Sequence, residues 1–302
     1  MKIQKVEYAL GSNILDLKKY LGKNYKRVLE TTGIKKTYHV SKKEDIISLA
    51  LKASKKVLQG ERNIDAVILI SQTPKFNIPP NSFIIQNSLG IKKNCFVLDI
   101  NHGCSGYIYG LKIASSLMQT KNIKKILLIT TDNYSRLLKK LNVKVLFSDC
   151  ATASLLVKSK NKSKFAFLSN GKNYKSLAQE SSNYDKSINE NSIVMNGNKV
   201  YNFSINEVPK IFKSFIKENK FNIQNFDYIL LHQASKIVNE NIKSKTNYNM
   251  KKFLNNYDKF GNTVSSSIPL LISKNFKKLK NKKVLFCGFG VGLSIGICNH
   301  EF

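Results

Sequence analysis

Short apolar runs alternate with helical patterns along most of the chain. DAVILIS (65–71) and CFVLDI (95–100) have the continuous apolar character of strands that are buried on both faces, and YIYGLKIASSLMQT (107–120) follows them with a helical pattern. The alternation resumes in the second half, where FDYILLH (226–232) and KVLFCGFG (283–290) are strand-like. This pattern predicts an α/β layered fold, without choosing among the α/β folds.

The chain has 302 residues, enough for a sizeable core and for two structural halves. No stretch approaches the roughly 18 uninterrupted apolar residues that a membrane span requires, and the N-terminus lacks the apolar core and cleavage site of a signal peptide. The five cysteines are far apart and form no CxxC pair. We therefore expect no membrane span and a reducing, cytoplasmic location.

The chain is strongly basic, with 50 Lys and Arg against 19 Asp and Glu, a formal net charge of +31. The electrostatic field of a chain with this net charge favours anionic partners. The lysines are spread along the whole chain, however, and dispersed charge is weaker evidence of a selective patch than a clustered stripe. We expect a generally basic surface and no nucleic-acid partner.

A cysteine stands at the junction of a predicted strand and a predicted helix, in DINHGCSGYIYGLKIA (99–114). Free backbone N–H groups and the helix dipole stabilise a thiolate at such a position, which makes Cys104 a candidate nucleophile. Gly103 and Gly106 allow a sharp turn and leave room for a substrate. The alternative is a small buried residue at a tight turn, which is the commoner role of an isolated cysteine.

Three later segments carry residues suited to an active site. His232 ends the strand-like run of ILLHQASKI (229–237), Asn262 lies in a turn within FGNTVSSSIP (260–269), and FCGFGVGLSIG (286–296) is a glycine-rich connection between strands. Each alone also fits a structural role: a buried histidine with its hydrogen bonds made, an asparagine that favours a turn, or glycines in a β-hairpin.

Together and in this order, these segments resemble the β-ketoacyl-acyl-carrier-protein synthase III family, condensing enzymes of the thiolase superfamily. Cys-Ser-Gly-Tyr followed by His-Gln-Ala and Gly-Asn-Thr is much more specific than any one motif, and the resemblance covers nearly the whole length. The seven collinear segments are ETTGIKKTYHV (30–40), SLGIKKNCFVLDINHGCSGYIYGL (88–111), LFSDCATASLL (146–156), VMNGNKVY (194–201), LLHQAS (230–235), FGNTVSSSIP (260–269) and VLFCGFGVGL (284–293).

The resemblance implies a thiolase-like five-layer αβαβα sandwich of two similar halves. Residues 1–160 would form the half that carries the nucleophilic cysteine, and residues 161–302 the half that carries the histidine and asparagine. Members of the family are usually homodimers. The internal duplication is not visible in the sequence itself.

The resemblance also assigns site roles. Cys104 matches the acyl-accepting cysteine, and His232 and Asn262 match the pair that activates the second thioester. Gly290 matches the glycine whose N–H joins that of Cys104 in an oxyanion hole. Further roles follow for substrate binding by Phe289, Arg27, Asn198 and Ile78, and for carrier-protein docking by Lys236 and Lys243.

The implied reaction starts with transfer of an acyl group from acyl-CoA, or from an acyl carrier, to Cys104. Decarboxylative condensation with malonyl-acyl carrier protein then gives a β-ketoacyl-carrier product, in fatty acid initiation or a related pathway. Partners would be acyl carrier protein and coenzyme A thioesters. No tightly bound cofactor is expected, and no metal, because the four histidines are far apart in the sequence.

The chain departs from the family at positions that contact the adenine end of coenzyme A. Arg27 and Thr31 stand where relatives commonly carry Trp and Arg. Either Arg27 stacks on the base in place of the Trp, or coenzyme A is not the first donor. His102, two residues before the nucleophile, replaces a small residue, and we expect it to be structural.

Three other functions are alternatives to this reaction. A non-condensing acyltransferase on the same scaffold would move the acyl group to an oxygen or nitrogen acceptor in a glycan or secondary-metabolite pathway, and this alternative stays open. Papain-like proteases share the order Cys, His, Asn but need a tryptophan near the cysteine, and this chain has none. The complete set of Cys104, His232 and Asn262 argues against a non-catalytic paralogue that only binds carrier protein.

Overall fold

The computed structural model describes residues 1–137, 145–180 and 193–302. Its two principal sheets have five strands each. The strands of the described residues are β1 (Lys2–Leu10), β2 (Asn13–Asp16), β3 (Lys36–His39), β4 (Ala66–Ile70), β5 (Phe96–Ile100), β6 (Lys125–Asp132), β7 (Cys150–Val157), β8 (Phe165–Ser169), β9 (Leu177–Ala178), β10 (Val194–Met195), β11 (Tyr228–Leu231), β12 (Phe253–Leu254), β13 (Lys283–Gly290) and β14 (Ser294–Glu301).

The helices pack on both faces of these sheets. The α-helices of the described residues are α1 (Leu17–Leu21), α2 (Tyr25–Thr32), α3 (Ile46–Leu58), α4 (Asn81–Ser88), α5 (Gly106–Leu117), α6 (Gly197–Glu218), α7 (Lys236–Thr246), α8 (Tyr257–Phe260) and α9 (Ser267–Leu279). Short 3₁₀ turns lie at Gly22–Asn24, Tyr134–Arg136, Gly171–Ser176, Ile223–Asn225, Met250–Lys252 and Val264–Ser266.

The two principal sheets have the same topology. The first has the order β1-β7-β6-β4-β5, and the second, read from β8, has the order β8-β14-β13-β11-β12. In each sheet the first three strands pair antiparallel, and the third, fourth and fifth pair parallel. The chain therefore repeats one architecture twice, which confirms the thiolase-like fold of two similar halves.

Helices α5 and α9 form the layer between the sheets. The apolar run of β4 is continuous because both faces of the strand are buried. Ile68 and Ile70 face the central core that contains residues of α5 and α9, whereas Val67 and Leu69 face the outer layer with α3. On the other side, α6 and α7 cover the second sheet. The result is the five-layer order of helices, sheet, helices, sheet and helices, as predicted.

The division of the chain near residue 160 stays a prediction. The strands of the first sheet end at Val157 and those of the second begin at Phe165. Helix α5 contacts β13 and β14 of the second sheet, and α9 contacts β1 and β7 of the first. We propose that residue 160 separates two structural repeats that share one central core, not two independently folding domains.

Helix α6 is longer than the sequence pattern indicates. The amphipathic run predicts a helix over 205–219, but the helix begins at Gly197 because Asn196 caps it, its Oδ1 accepting the N–H of Lys199 at 3.1 Å. The polar composition of residues 169–192 predicts a long surface loop. Its first part contains a 3₁₀ turn and β9, and residues 181–192 lie outside the described residues.

None of the helices in the described part of the chain combines the length and the apolar character needed to cross a membrane.

Candidate active site

Cys104 lies in the turn between β5 and α5, two residues before the helix begins at Gly106. The carbonyl of Gly103 accepts the N–H of Gly106 at 2.7 Å, which closes the turn. Strand β13 passes directly behind it: a Cβ atom at Gly288 would lie 2.7 Å from the Cα of Ser105. The turn is thus held against the second sheet, and Cys104 is 7% exposed.

Burial raises the pKa of the Cys104 thiol to about 12, and the charge of nearby Asp132 adds to the effect. Hydrogen bonds from the N–H groups of Val291 and of Cys104 itself act in the opposite direction. Burial therefore opposes the stabilisation of the thiolate that the helix N-terminus predicts.

Gly290 packs directly on the cysteine. A Cβ atom at this position would lie 3.0 Å from the Cβ and 3.1 Å from the Sγ of Cys104, and the backbone has φ of 149°. The N–H that hydrogen-bonds the sulfur belongs to the next residue, Val291. The role of Gly290 as an oxyanion donor stays a prediction, and Val291 is the better-supported donor.

His232 follows β11 at its carboxyl end. Its backbone N–H donates to the Cys287 carbonyl at 2.8 Å, and its carbonyl accepts from Asn239 at 3.1 Å. Its ring Nδ1 lies 2.6 Å from Ser267 Oγ, and the ring stands edge-on to Phe289 with centroids 5.4 Å apart. Burial lowers the pKa of His232 to about 3, so the imidazole is neutral at physiological pH.

Asn262 is fixed through both its backbone and its side chain. Its N–H donates to the Leu146 carbonyl at 2.9 Å, and its carbonyl accepts from Ser148 at 2.8 Å. Its side-chain oxygen accepts the N–H of Val264 at 2.9 Å. Because a backbone N–H can only donate, the atom facing it must be the amide oxygen, and the NH₂ group is the end available to the cavity.

One cavity of about 450 Å³ brings the predicted residues together. Its walls include Cys104, His232, Asn262, Phe289, Gly290 and Asn198, all six named from the sequence. Sequence reasoning missed a further set of lining residues, which are mostly apolar or hydroxyl-bearing. They include Thr32, Tyr134, Leu146, Phe147, Leu177, Met195, Val200, Tyr201 and Ser204.

Asp132 is a buried acid beside this site that sequence reasoning also missed. It ends β6 and accepts the N–H of Gln72 at 2.8 Å and the hydroxyl of Ser265 at 2.5 Å. Burial raises its pKa to about 7. The only sequence signal was its place at the end of a buried strand, where polar residues of α/β enzymes often gather.

Arg27 and Lys236 are predicted to bind substrate and carrier protein at the edge of the site. Arg27 is exposed on α2, and its carbonyl accepts the hydroxyl of Thr31, which lines the cavity. Lys236 is exposed at the start of α7, between the lining residues Ser235 and Ile237. These two residues therefore lie beside the cavity wall, and their roles stay predictions.

Two of the predicted residues are not where their roles require. Lys243 is 3% exposed, and its ammonium is 2.8 Å from Glu240 and over the ring of Phe253. The docking role of Lys243 is therefore wrong, since its charge is already paired inside the protein. Ile78 is 88% exposed and is not among the residues that line the cavity of its own chain.

His102 lies outside the cavity, in a neighbouring pocket of about 270 Å³. Its ring packs against that of Tyr109 with centroids 4.1 Å apart and planes tilted by 35°, and burial lowers its pKa to about 4. These contacts favour a structural role. In the described ranges, no group of three or more His, Cys, Asp or Glu side chains has the arrangement of a metal site.

Two family models match the chain. The 3-oxoacyl-[acyl-carrier-protein] synthase III model matches residues 98–171, and its C-terminal companion matches residues 216–301. A beta-ketoacyl-[acyl-carrier-protein] synthase III of Clostridium botulinum (strain 657 / Type Ba4) is 33% identical over 85% of this chain and 84% of its own. The protein of that name from Acholeplasma laidlawii is 31% identical over 93% of this chain and 91% of its own.

Solved structures agree with the sequence relatives. A crystal structure of a 3-oxoacyl-(acyl-carrier-protein) synthase III superposes with a TM-score of 0.92 at 28% identity and covers 99% of both chains. The 3-oxoacyl-(acyl-carrier protein) synthase of Burkholderia xenovorans LB400 has a TM-score of 0.92 at 27% identity, covering 99% of this chain and 93% of its own.

The repeated fold, with cysteine, histidine and asparagine in one cavity, defines a condensing synthase of the thiolase fold, a transferase. Within that class the chain belongs to the 3-oxoacyl-[acyl-carrier-protein] synthase III family.

Proposed function

We propose that the protein condenses an acyl group held on Cys104 with malonyl-acyl carrier protein, releasing CO₂ and a β-ketoacyl-carrier product. The acyl group would come from acyl-CoA or an acyl carrier. The observation that carries the proposal is that Cys104, His232 and Asn262 line the same cavity of about 450 Å³. The names of the relatives give the same product, a β-ketoacyl group on acyl carrier protein.

The first half-reaction is acyl transfer to the cysteine. The sulfur attacks the thioester carbonyl, the thiol proton leaves the enzyme, and the donor departs as a free thiol. The tetrahedral oxyanion would be held by the N–H groups of Cys104 and Val291, which lie near the sulfur and oppose the rise in its pKa. Losing one such donor typically costs about 10²–10³ in rate.

The second half-reaction needs donors for an enolate oxygen. The malonyl group loses CO₂, the enolate carbon attacks the Cys104 thioester, and the cysteine is released as the new carbon–carbon bond forms. The amide of Asn262 and the neutral ring of His232 can each donate one hydrogen bond to the enolate oxygen. No metal or bound cofactor is required for either step.

The cavity mouth supplies the proposed contacts to the carriers. Asn198 lines the cavity, and Arg27 lies one helical turn before the lining residue Thr31. We propose that Arg27 contacts the adenine end of coenzyme A. For carrier-protein docking we keep Lys236 and replace the buried Lys243 with Lys199, which is exposed between Asn198 and Val200 of the cavity wall.

We also propose that the protein is a homodimer. The stretch 76–96 holds α4 and leads into β5, which is an edge strand of the first sheet. Four large apolar side chains are exposed there, Phe76, Ile78, Phe83 and Phe96. A second copy would cover them. The substrate-binding role of Ile78 depends on this dimer, and the cytoplasmic location stays a prediction.

Mass spectrometry of the intact protein tests the first half-reaction. Incubation with a panel of acyl-CoA and acyl-carrier thioesters should add one acyl mass, on the peptide that contains Cys104. The Cys104→Ser variant is the control and should remain unmodified. Equal acylation of that variant would show that another residue accepts the acyl group and would overturn the proposal.

A further inference from the structure

Ser267, the first residue of α9, is the hydrogen-bond partner of the His232 ring. Its Oγ lies 2.6 Å from His232 Nδ1, 3.1 Å from the Val264 carbonyl and 3.4 Å from the Gln233 N–H. A serine hydroxyl has one hydrogen to donate. If that hydrogen goes to Val264, the ring must carry its own hydrogen on Nδ1; if it goes to the ring, the hydrogen sits on Nε2.

The surroundings favour donation to the ring. The Val264 carbonyl already accepts the backbone N–H of Ser267 where the 3₁₀ turn ends, so it is satisfied without the hydroxyl. The contact of Oγ with Nδ1 is 0.5 Å shorter than that with the Val264 carbonyl, but it forms with either direction of the hydrogen. The satisfied Val264 carbonyl is therefore the observation that leaves the hydroxyl hydrogen for His232.

We propose that Ser267 is a positioning residue that fixes the tautomer of His232, so that Nδ1 accepts a hydrogen bond and Nε2 carries the ring hydrogen toward the substrate. This inference rests on the proposed function, because an enolate oxygen needs a donor. A neutral imidazole with the opposite tautomer would present a lone pair to that oxygen and would repel it.

The same short turn orients the second donor. The N–H of Val264 holds the side-chain oxygen of Asn262, which leaves the NH₂ group for the cavity. Val264 itself has φ of 50°, a strained conformation for a β-branched residue. Such strain persists where the surrounding structure imposes it, often at a functional site. The segment from Val264 to Ser267 therefore determines two things: which end of the Asn262 amide faces the cavity, and which nitrogen of the His232 ring carries the hydrogen.

Nuclear magnetic resonance of the wild-type protein tests the tautomer directly. With ¹⁵N-labelled histidine, the His232 ring should show a one-bond N–H coupling at Nε2 and none at Nδ1. The other histidines (His39, His102 and His300) are distinguished by comparison with the His232→Ala variant. A hydrogen on Nδ1 of His232 would overturn the inference, whatever the variants do.

Kinetics of matched variants test the consequence. Ser267→Ala should lower the rate of malonyl-carrier decarboxylation at least ~10-fold, since holding an imidazole in the correct tautomer can matter by up to about 10⁴. Self-acylation of Cys104 should change by less than about threefold, and Ser267→Thr, which keeps a hydroxyl, should recover part of the loss. The control is Ser266→Ala, which removes a neighbouring buried hydroxyl that bonds Thr130 instead of His232.

The outcomes separate the two proposals. If wild type acylates Cys104 but never decarboxylates malonyl carrier, the proposed function is wrong. If wild type decarboxylates normally and Ser267→Ala behaves like Ser266→Ala, the proposed function stands and the role of Ser267 is wrong. A selective loss in Ser267→Ala, with Nε2–H in wild type, supports both.

Discussion

Gly290 lies so close to Cys104 that a Cβ atom at position 290 would sit 3.1 Å from the cysteine sulfur. The strand β13 ends at this residue, and the next N–H along the chain, that of Val291, opposes the rise in the pKa of the Cys104 thiol. The second half of the chain thus supplies one wall and one donor for a nucleophile carried by the first half.

Gly290→Ala should therefore abolish most of the self-acylation of Cys104. The new methyl group meets the cysteine side chain, and an L-residue is strained at φ of 149°. We expect at least a ~10-fold slower acylation, measured by intact mass against time. Gly60→Ala is the control, because Gly60 has φ of 92° with no atom near a Cβ. Similar acylation rates in both variants would contradict the packing argument.

The reactivity of Cys104 should rise with pH over the whole neutral range. Its pKa is raised to about 12, so the thiolate fraction grows about tenfold for each pH unit below that value. Alkylation of the Cys104 peptide by iodoacetamide between pH 6.5 and 9.5 should show no plateau. Cys104→Ser gives the background. A plateau below pH 8 would mean that the helix N-terminus, not burial, governs the thiol.

Arg27→Ala should raise the KM for acyl-CoA about 2–5-fold, the equivalent of ~0.5–1 kcal/mol for an exposed cation–π contact. The small size follows from the exposure of Arg27 on α2. Acyl transfer from pantetheine thioesters, which lack adenine, should be unchanged. Lys26→Ala removes a neighbouring exposed cation and is the control. An equal loss with both donors would make Arg27 structural.

Reversing the charge of Lys236 and Lys199 together should weaken binding of an acidic carrier protein at least ~10-fold, about 1.4 kcal/mol. The defect should shrink as salt is added, since exposed charges are screened over ~8 Å at physiological ionic strength. Both positions lie in the first turn of a helix. A Glu there interacts favourably with the helix dipole, so we expect both variants to fold.

The control pair for this experiment is Lys55→Glu with Lys121→Glu, both outside the stretch 76–96 of the proposed dimer interface. Both residues are exposed, and Lys55 lies on α3, in the outer helical layer of the first sheet. Binding can be measured by titration calorimetry at two salt concentrations. If the control pair weakens binding as much as the reversal of Lys236 and Lys199, the carrier protein responds to the net charge of +31 as a whole and the docking patch is wrong.

Much of the fold could be read from the sequence because inner strands such as β4 and β13 are buried on both faces. The edge strand β5, also expected to be buried, is partly exposed because it has a neighbouring strand on one side only. KVLFCGFG predicts a strand at 283–290, and the structure has β13 at Lys283–Gly290. Strand β1 was missed, since KIQKVEYAL mixes charged and apolar residues. The repeat is not visible in the sequence because what the two sheets share is the order and direction of their strands.

Side-chain direction explains most of what was missed at the site. Ser265, Ser266 and Ser267 are indistinguishable as a sequence, yet their hydroxyls bond Asp132, Thr130 and His232 respectively. Likewise, Lys243 has the composition of a surface residue, but α7 turns it inward to Glu240. Spacing predicts which residues share an element; only packing decides which face each one takes.

The most direct test of the account follows the acyl group and CO₂ together. Cys104 is first loaded with an isotopically labelled acyl group, free donor is removed, and malonyl-acyl carrier protein is added. We predict that label leaves Cys104 and appears in a β-ketoacyl-carrier product with one CO₂ released per acyl group, whereas acylated His232→Ala keeps its label and releases at least ~100-fold less CO₂. Label that leaves Cys104 for an oxygen or nitrogen acceptor without any CO₂ would contradict the condensation and favour simple acyl transfer.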